Sequence, residues 1–493
     1  MESVILRRQF EVRPVKLTHI LRCGTFASRV IVNHPIWAQI CIHDDKSSDG
    51  TDTILSRLEA ELSCISPERT VRFVLSHTKQ AQPMRAGAAR NTAVQGSSGK
   101  FLALLDADDV MHPDRLSRQL ACTQALQASV QNPDLVLIGC QIERIPADST
   151  ERYTAWANGM SQEELWTHQF RECTLLAPCW FMPRGLWAAV GGMPSSSSEM
   201  HTALPLLGGH EPLPFWPLDA SDYAASHSSV KRARSGDHVG GEQSDQLGTP
   251  APRQGSPVSG KDAGDTGAPT AHEENAGNDL MSASVRGGAA SGGSVAKCGV
   301  KRPRSSDTDL GGSARFTPEQ LAGPTGTVPE DLAFFLKACA LGVALQRVDE
   351  VLLQYRHTQG SATSRTPRKV LQRIRAAAID QRVCSSDAWQ HKGFYIWGSG
   401  RDGRVLYKSL CKASRMKVRA FLDVSKDRIE QNYHHKDLRE DVRVCHFGDP
   451  SLEPLPIVTA VALNRTEGEF EANLLSVSSK WNLRAGSTLW YFV

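Results

Sequence analysis

The sequence lacks the features that mark secreted, membrane-bound and zinc-binding proteins. No apolar run approaches the ~18 residues that a membrane-spanning helix needs, and residues 1–16 lack the apolar core of a signal peptide. The twelve cysteines form no C-x-x-C pair and show no spacing with histidine. We therefore expect reduced thiols, no zinc site, no membrane partner and a cytoplasmic location.

Strong charge of either sign is also absent. The formal net charge is +3, so any contact with nucleic acid needs a local basic patch. Between residues 194 and 326, Ser, Gly, Ala, Asp and Pro dominate and hydrophobic periodicity is lost, which predicts a disordered insertion. Its two basic clusters, 231–234 and 301–304, fit nuclear import, nucleic-acid binding or simply solvated charge.

Strand and helix patterns alternate in the rest of the first half. This order predicts a parallel α/β sheet. The predicted strands are 37–43, 71–75, 101–105 and 134–144, and the helices between them are 52–62, 85–96 and 113–127. After the insertion we expect a helix from Pro329, two strands at 343–348 and 351–357, and an amphipathic helix over 365–382. That helix is basic, so it either contacts phosphates or presents a solvated face.

Acidic residues follow the most apolar of these strands. Phe101–Leu105 reads as a buried strand, and Asp106, Asp108 and Asp109 come directly after it. Open α/β sheets bind ligands at the carboxyl ends of their strands, and two carboxylates spaced by one residue can face one ion there. Oxygen ligands suit Mg²⁺ or Mn²⁺. The alternative is an acidic turn that only caps the next helix.

The C-terminal part carries a separate motif. A predicted strand over 394–397 is followed by Gly398-Ser399-Gly400-Arg401-Asp402-Gly403, a helix, and a strand that ends at Asp423. This order fits a G-x-G-x-x-G turn with an acid about 20 residues on. The unit either binds a nucleotide or sugar, or uses its glycines for close helix–strand packing, which we favour because the unit is only about half a dinucleotide fold.

Four stretches in this order resemble family 2 glycosyltransferases with the GT-A fold. They are the two acids with the turn that follows them (44–51), Gly87-x-x-Arg90-Asn91, Asp106-x-Asp108-Asp109, and Glu330-Asp331 with 355–357. The segment 151–156 and the run 396–400 are similar to a eukaryotic branch first called β-1,3-N-acetylglucosaminyltransferase-like and associated with galactosylation of queuosine in tRNA. The resemblance implies an inverting transferase with a UDP-sugar donor and tRNA as acceptor.

The resemblance also implies roles for individual residues. Asp331 is the expected general base. Asp106 and Asp108 are the expected ligands of Mn²⁺ or Mg²⁺. The remaining donor-binding residues that it implies are Asp44 or Asp45 at the uracil, Arg90 near the diphosphate or the acids, Glu330, and His357, which is either a third ligand or a core-edge histidine.

The family resemblance predicts a domain plan with one departure. We expect a GT-A domain over 37–193 and 327–385, the disordered insertion, and a Rossmann-like domain over 390–493. The Pro-x-x-Asn turn that opens the family's fold is not recognisable in residues 1–36, where only Ser3–Leu6 could form a strand. Three alternatives therefore stay open: hexosyl transfer to a glycan or lipid, an inactive homologue that binds nucleotide sugar or RNA, and an NAD-dependent enzyme.

Overall fold

A computed structural model describes residues 2–7, 38–65, 72–203, 316–323, 328–358, 366–436, 438–463 and 466–493. All of these residues belong to one compact unit, Met1–Trp216 together with Leu310–Val493. Residues 8–37, the central part of the predicted insertion and both of its basic clusters lie outside the described residues.

Of the three sheets in the described residues, the largest has eight strands in the order β3-β2-β1-β4-β7-β6-β8-β5, and the smallest is the pair β11-β12. They are β1 (Glu2–Arg7), β2 (Ala38–Asp44), β3 (Arg72–His77), β4 (Phe101–Asp106), β5 (Val110–Met111), β6 (Val136–Ile145), β7 (Phe181–Pro183) and β8 (Ala344–Arg356). The run β3-β2-β1-β4 is parallel, β7 is antiparallel to its neighbours β4 and β6, and β8 is parallel to β6. The sheet is therefore mixed.

The N-terminal segment takes a central place in this sheet. Glu2–Arg7 pairs with β2 on one side and with β4 on the other, so Ser3–Leu6, which the sequence allowed as a short strand, lies within one. Its neighbour β4 is buried from Phe101 to Leu105 because apolar layers cover both faces, which explains its continuous apolar run.

Helices connect the strands and cover the sheet. They are α1 (Thr51–Ile65), α2 (Arg85–Gln95), α3 (Arg115–Gln127), α4 (Glu151–Gly159), α5 (Gln162–Thr167), α6 (Arg184–Val190), α7 (Ser197–Ala203), α8 (Glu330–Ala340) and α9 (Arg368–Ile379). Helix α8 begins with Glu330 and Asp331, where negative charge is favourable. The aromatic rings of Phe334 and Trp187 lie 4.9 Å apart, so α8 packs against α6.

Two sequence expectations differ from the structure. Segments 343–348 and 351–357 were expected as two strands, but they form the single strand β8. Both segments pair with β6, and register shifts near Cys140 and Gln141 accommodate the residues between them. Short helices also form at both ends of the expected insertion, 197–203 and 318–321. Their side chains Met200 and Leu321 are fully buried in the core, which explains the order there.

The third sheet, which we call the smaller sheet, has five parallel strands in the order β13-β10-β9-β14-β15. The C-terminal strands are β9 (Phe394–Trp397), β10 (Val418–Asp423), β11 (Tyr433–His435), β12 (Glu440–Val442), β13 (Val444–His446), β14 (Ile457–Thr459) and β15 (Leu489–Tyr491), and the helices are α10 (Asp387–Lys392), α11 (Arg401–Ser409), α12 (Lys412–Arg415), α13 (Lys426–Gln431) and α14 (Glu469–Trp481). Phe334 of α8 and Ile374 of α9 share one apolar core with Phe394 and Leu406, so the two sheets are joined by packing.

Candidate active site

Acidic residues gather where strands of the larger sheet end. Strand β2 ends at Asp44 and β4 ends at Asp106, and these strands flank β1 in a parallel arrangement. Parallel strands bring their carboxyl ends to one edge, which is where α/β sheets present ligand-binding groups. Helix α8 delivers Glu330 and Asp331 to the same region, as the contacts of Arg90 show.

Arg90 joins the acidic strand end to the start of α8. It is 4% exposed, and its guanidinium lies 2.8 Å from an oxygen of Asp106 and 3.2 Å from one of Glu330. Burial alone would lower the pKa of Arg90, but the two carboxylates outweigh it and raise the pKa above its ordinary value. Arg90 therefore stays charged and holds together segments 240 residues apart in sequence.

Small residues make room for this bridge. A Cβ atom on Gly87 would lie 2.4 Å from the carbonyl oxygen of Pro194 and 3.3 Å from Cβ of Glu330. One turn later, Asn91 donates to the carbonyl of Met193 and accepts from its N–H, at 2.7 and 2.9 Å. The motif Gly87-x-x-Arg90-Asn91 thus fixes α2 against the chain that leads away from α6.

The acidic turn after β4 is held by the end of β8. The N–H of Arg356 donates to the Asp109 carboxylate at 2.8 Å, and its Nε donates to the carbonyl of Asp108 at 3.0 Å. Thr358 donates its hydroxyl to Asp108 at 3.2 Å. Burial raises the pKa of Asp109 well above its usual range, and the charges of Asp106 and Asp108 raise it further. Asp109 is therefore protonated more readily than an ordinary aspartate, because it is buried beside two other carboxylates.

Asp331 has the properties of a proton acceptor beside this turn. Burial raises its pKa to about 6, the neighbouring Glu330 adds to the rise, and Arg90 opposes it. One of its oxygens accepts from the N–H of Leu332 at 2.7 Å. A carboxylate with a pKa near 6 is mostly ionised at neutral pH and still basic enough to take a proton.

The two acids at the end of β2, Asp44 and Asp45, make different contacts. Asp45 accepts from the Thr78 hydroxyl at 2.6 Å and from the N–H groups of Met84 and Arg85 at 2.7 and 2.8 Å. It therefore secures the loop that leads into α2. Asp44 is 4% exposed, accepts from Ser47, and lines a cavity of about 420 Å³. Of the two residues that the sequence left open for uracil, Asp44 is the one that faces a cavity.

The same cavity contains residues that sequence reasoning missed. Nδ1 of His77 lies 3.6 Å from an oxygen of Asp44 and 3.6 Å from one of Asp52. In the part of the chain that the structure describes, these three form the group whose ligand atoms lie within 4.8 Å of one another, close enough for one metal ion. His77 ends β3, one strand beyond β2, so the rule about strand ends could have found it.

His357 lies at the end of β8, but its side chain is exposed and its N–H donates to the carbonyl of Ile145 at 2.8 Å. The described contacts of this strand end with the acidic turn come from its neighbours, Arg356 and Thr358. Arg356 belongs to the stretch 355–357 that the sequence singled out, but no role was predicted for it, and Thr358 was not singled out. The role of His357 as a donor-binding residue stays a prediction.

The role of Asp106 and Asp108 as ligands of a divalent ion stays a prediction, and the charges at this turn are compatible with it. One oxygen of Asp106 is engaged by Arg90, and the crowding of Asp106, Asp108 and Asp109 raises the pKa of Asp109, a repulsion that a cation relieves. Two carboxylates are few ligands for Mg²⁺ or Mn²⁺, and such ions commonly complete their shells with substrate phosphates and water.

The glycine turn of the smaller sheet, residues 398–403, is tightly packed and hydrogen-bonded to Asp423. A Cβ on Gly403 would lie 1.8 Å from the carbonyl oxygen of Gly398, and Gly398 itself has φ +107°. Asp423 accepts from the N–H and hydroxyl of Ser399 at 2.9 and 2.5 Å and from Arg428 at 3.2 Å. The acid expected at a ribose is therefore committed internally, which favours the packing interpretation.

Four arginines in or just after the basic helix α9 bind groups of neighbouring elements. Arg368 pairs with Asp402 at 2.9 Å, and Arg375 pairs with Glu172 at 2.6 Å. Arg373 donates to the carbonyl of Gln320, and Arg382, just beyond the helix, is buried against Gln169. The sequence left two alternatives for this helix, phosphate contact and a solvated face. In the structure these four arginines bind carboxylate, carbonyl and amide oxygens of neighbouring elements, which weakens the phosphate alternative.

Comparison with known proteins identifies the type of domain. Residues 34–182 match the family model described as "Glycosyl transferase family 2". This part of the chain is therefore similar to family 2 glycosyltransferases, and the expected fold class, a GT-A type mixed α/β sheet with an additional C-terminal α/β region, is confirmed.

Two curated relatives each match a part of the chain. The chain is 28% identical over 103 residues to the succinoglycan biosynthesis protein ExoO of Rhizobium meliloti and 33% identical over 88 residues to the putative teichuronic acid biosynthesis glycosyltransferase TuaG of Bacillus subtilis. These matches cover 20% and 18% of this chain. They span 26% and 31% of the relatives, so the chain matches less than a third of either.

Solved structures show only remote likeness. TarS of S. aureus, in complex with UDP-GlcNAc, is 14% identical with a TM-score of 0.29, covering 39% of this chain and 48% of that one. The mannosyltransferase PcManGT of Pyrobaculum calidifontis, in complex with GDP-Man and Mn²⁺, is 17% identical with a TM-score of 0.30, covering 48% and 65%.

The described helices include none with both the length and the apolar content for a membrane span.

Proposed function

We propose that this protein is an inverting glycosyltransferase that moves a hexose from a UDP-sugar to an acceptor hydroxyl. The observation that carries the proposal is the bridge through Arg90. It brings the acidic turn of Asp106 and Asp108 next to the helix start that holds Asp331, although an insertion separates them in sequence. The family match over 34–182 and the name of the relative TuaG support the reaction class.

Asp331 is the proposed general base. It takes the proton of the acceptor hydroxyl as the oxygen attacks C1 of the sugar, while the bond from C1 to the diphosphate breaks. Attack from the face opposite the leaving group inverts C1, so a UDP-α-sugar yields a β-linkage. Arg90 keeps Asp331 ionised by its positive charge and holds α8 in place.

The proposed donor site lies along the strand ends. Asp44 faces the cavity at the ends of β2 and β3 and is the proposed partner of the uracil. Asp106 and Asp108 would hold Mn²⁺ or Mg²⁺, which when bound neutralises charge on the departing diphosphate. Glu330 keeps Arg90 in place beside them, and His357 is proposed at the rim of the site.

The finer specificity is also a proposal. We propose galactose as the sugar and queuosine in cytoplasmic tRNA as the acceptor, because segments 151–156 and 396–400 resemble that branch of the family. The names of the two relatives favour a second candidate, hexosyl transfer during synthesis of a polysaccharide. The internal pairing of α9 removes one argument for RNA, so the acceptor needs a direct test.

The test is release of UDP from several UDP-sugars, with and without total tRNA that contains queuosine. We expect release from UDP-galactose to rise when tRNA is added and the sugar to appear on tRNA. Transfer to saccharides without tRNA would support the second candidate. Absence of release from every donor, with UDP binding intact, would identify an inactive homologue.

A further inference from the structure

The end of strand β8 is hydrogen-bonded along the acidic turn that follows β4. Strand β5, which continues this turn, pairs antiparallel with β8, and the N–H of His112 donates to the carbonyl of Leu352 at 2.9 Å. Further along, the N–H of Arg356 donates to the Asp109 carboxylate at 2.8 Å, across 247 residues of sequence. A strand from beyond the predicted insertion therefore fixes the position of the turn.

Asp108 receives two hydrogen bonds from this strand end. Nε of Arg356 donates to its backbone carbonyl at 3.0 Å, and the hydroxyl of Thr358 donates to Oδ2 of its carboxylate at 3.2 Å. Both Asp108 and Thr358 are half-buried, so this contact lies at the border between the core and the solvent. The strand end thus fixes both the backbone of Asp108 and the direction in which its carboxylate points.

The two proposed metal ligands are held by different kinds of donor. Oδ1 of Asp106 accepts from the guanidinium of Arg90 at 2.8 Å, whereas Oδ2 of Asp108 accepts from the Thr358 hydroxyl. A hydroxyl supplies a donor without a charge. Replacing Thr358 by valine, which has nearly the same shape, therefore removes the hydrogen bond and leaves the formal charge of the turn unchanged. Because Arg356, the cation of the same segment, also stays, a change in ion binding would report the orientation of Asp108.

We propose that Thr358 is a positioning residue for Asp108, whose carboxylate it holds in the orientation that binds Mn²⁺ or Mg²⁺ together with the diphosphate of the donor. Carboxylates that ligate metals are commonly hydrogen-bonded by outer-shell partners, and loss of such a partner lowers metal affinity or activity about 10- to 100-fold. This inference rests on the proposed function and deepens it, since it adds Thr358 to the proposed donor site.

Calorimetric titration with UDP tests this role without requiring sugar transfer. The full-length protein is titrated once with Mn²⁺ in excess and once with EDTA. We expect Thr358→Val to bind UDP about tenfold more weakly than the wild type in Mn²⁺ and equally in EDTA, because the hydroxyl acts on the metal-dependent part of the affinity alone.

Two variants serve as controls for the substitution itself. Thr358→Ser keeps the hydroxyl and should restore UDP binding in Mn²⁺ to near the wild-type affinity. Thr154→Val removes a hydroxyl hydrogen bond of the same length, 3.2 Å to the carbonyl of Thr150 at the start of helix α4, and should bind UDP as the wild type does. Far-UV circular dichroism and urea denaturation check that each variant is folded.

A double-mutant cycle measures whether Thr358 acts through Asp108. Asp108→Ala removes the carboxylate that the hydroxyl binds, so adding Thr358→Val to it should lower the UDP affinity in Mn²⁺ no further. A residue that only stabilised the fold would instead weaken UDP binding by a similar factor in both backgrounds.

The outcomes separate this inference from the proposed function. Wild-type affinity in Thr358→Val, a loss that Thr358→Ser shares, or a further loss in the double variant overturns the positioning role. Wild-type binding of UDP that is equal in Mn²⁺ and in EDTA overturns it as well, and sugar transfer in the UDP-release assay then leaves the proposed function in place. If the binding results are as expected but no UDP-sugar is turned over with any acceptor, the proposed function fails and the role of Thr358 in metal-dependent UDP binding stands.

Discussion

The acidic ends of β4 and β10 make an informative pair. Each belongs to a parallel strand whose last residue is an aspartate, Asp106 in the larger sheet and Asp423 in the smaller one. Asp106 is bound by a buried arginine that links it to Glu330, whereas Asp423 is bound by the backbone N–H and hydroxyl of Ser399, which follows the neighbouring strand β9. The first arrangement assembles distant carboxylates around a site. The second closes a tight turn.

The difference lies in where the hydrogen-bond partners come from. Ser399 is 24 residues from Asp423 and Arg428 is 5 residues from it, so these partners belong to neighbouring parts of the smaller sheet's unit. Arg90 is only 16 residues from Asp106, but it also binds Glu330, which is 240 residues from it. An aspartate at the end of a strand therefore closes a turn in one sheet and joins distant segments in the other.

The largest expected effect is the loss of sugar transfer when Asp331, the proposed base, is replaced. Asp331→Asn should lower the rate of sugar transfer by about 10²- to 10⁴-fold, the usual contribution of a general base, and should leave UDP-sugar binding near the wild-type level. Single-turnover transfer and calorimetric UDP binding measure the two. A variant that transfers sugar at the wild-type rate would exclude Asp331 as the base.

Removal of the metal-type acid should affect binding at one sheet only. Asp108→Ala should weaken metal-dependent UDP binding by at least about a hundredfold, since even outer-shell partners of metal ligands account for about 10- to 100-fold. Asp423→Asn is the matched control in the smaller sheet and should leave UDP affinity unchanged. Calorimetry with and without Mn²⁺ measures UDP affinity. An equal loss of affinity in both variants would contradict the proposed difference between the two sheets.

The two arginine bridges should differ in stability. Arg90→Ala leaves Asp106 and Glu330 partly buried without their shared cation and should lower the free energy of unfolding by about 3–5 kcal/mol. Arg368→Ala breaks the more exposed pair with Asp402 and should cost about 0–1 kcal/mol. Urea denaturation measures both, and similar losses would show that Arg90 is not a special link.

Glycine replacement tests the closed turn. Gly403→Ala places a Cβ 1.8 Å from the carbonyl oxygen of Gly398 and should destabilise the protein by about 1–3 kcal/mol through overpacking. Gly159→Ala is the control, because its Cβ would have no neighbour within 4 Å in the described structure and should change stability by less than about 1 kcal/mol. Thermal unfolding compares them. If Gly403→Ala were as stable as the wild type, the turn would not be tightly packed, and the interpretation of it as a ligand site would be open again.

The smallest expected effect is on pH dependence. Asp331 must be ionised to accept a proton, and burial raises its pKa to about 6. Transfer should therefore be constant above about pH 7 and fall about tenfold per unit below pH 6, as protonation removes the base. The limb should be absent from the residual activity of Asp331→Asn. An acid limb near pH 4 in the wild type would show that Asp331 is not desolvated in the working enzyme.

Local patterns predicted the elements of the site better than their partners. The apolar run 101–105 and the acids after it predicted a buried strand with a charged end, and both are present. The joining of 343–348 with 351–357 into one strand was not predictable, because it depends on the register with β6. No role was predicted for His77, Arg356 or Thr358, since their contacts cross from one strand end to another.

The sequence by itself determined the order of strands and helices, the acids at the strand ends and the glycines of the smaller sheet's turn, because periodicity and turn chemistry are local. Tertiary structure alone decided that Arg90 joins Asp106 to Glu330, and that Asp423 and the arginines of α9 bind groups of neighbouring elements. Each of those outcomes depends on which distant groups become neighbours when the sheets form, and burial then sets the strength of their interactions.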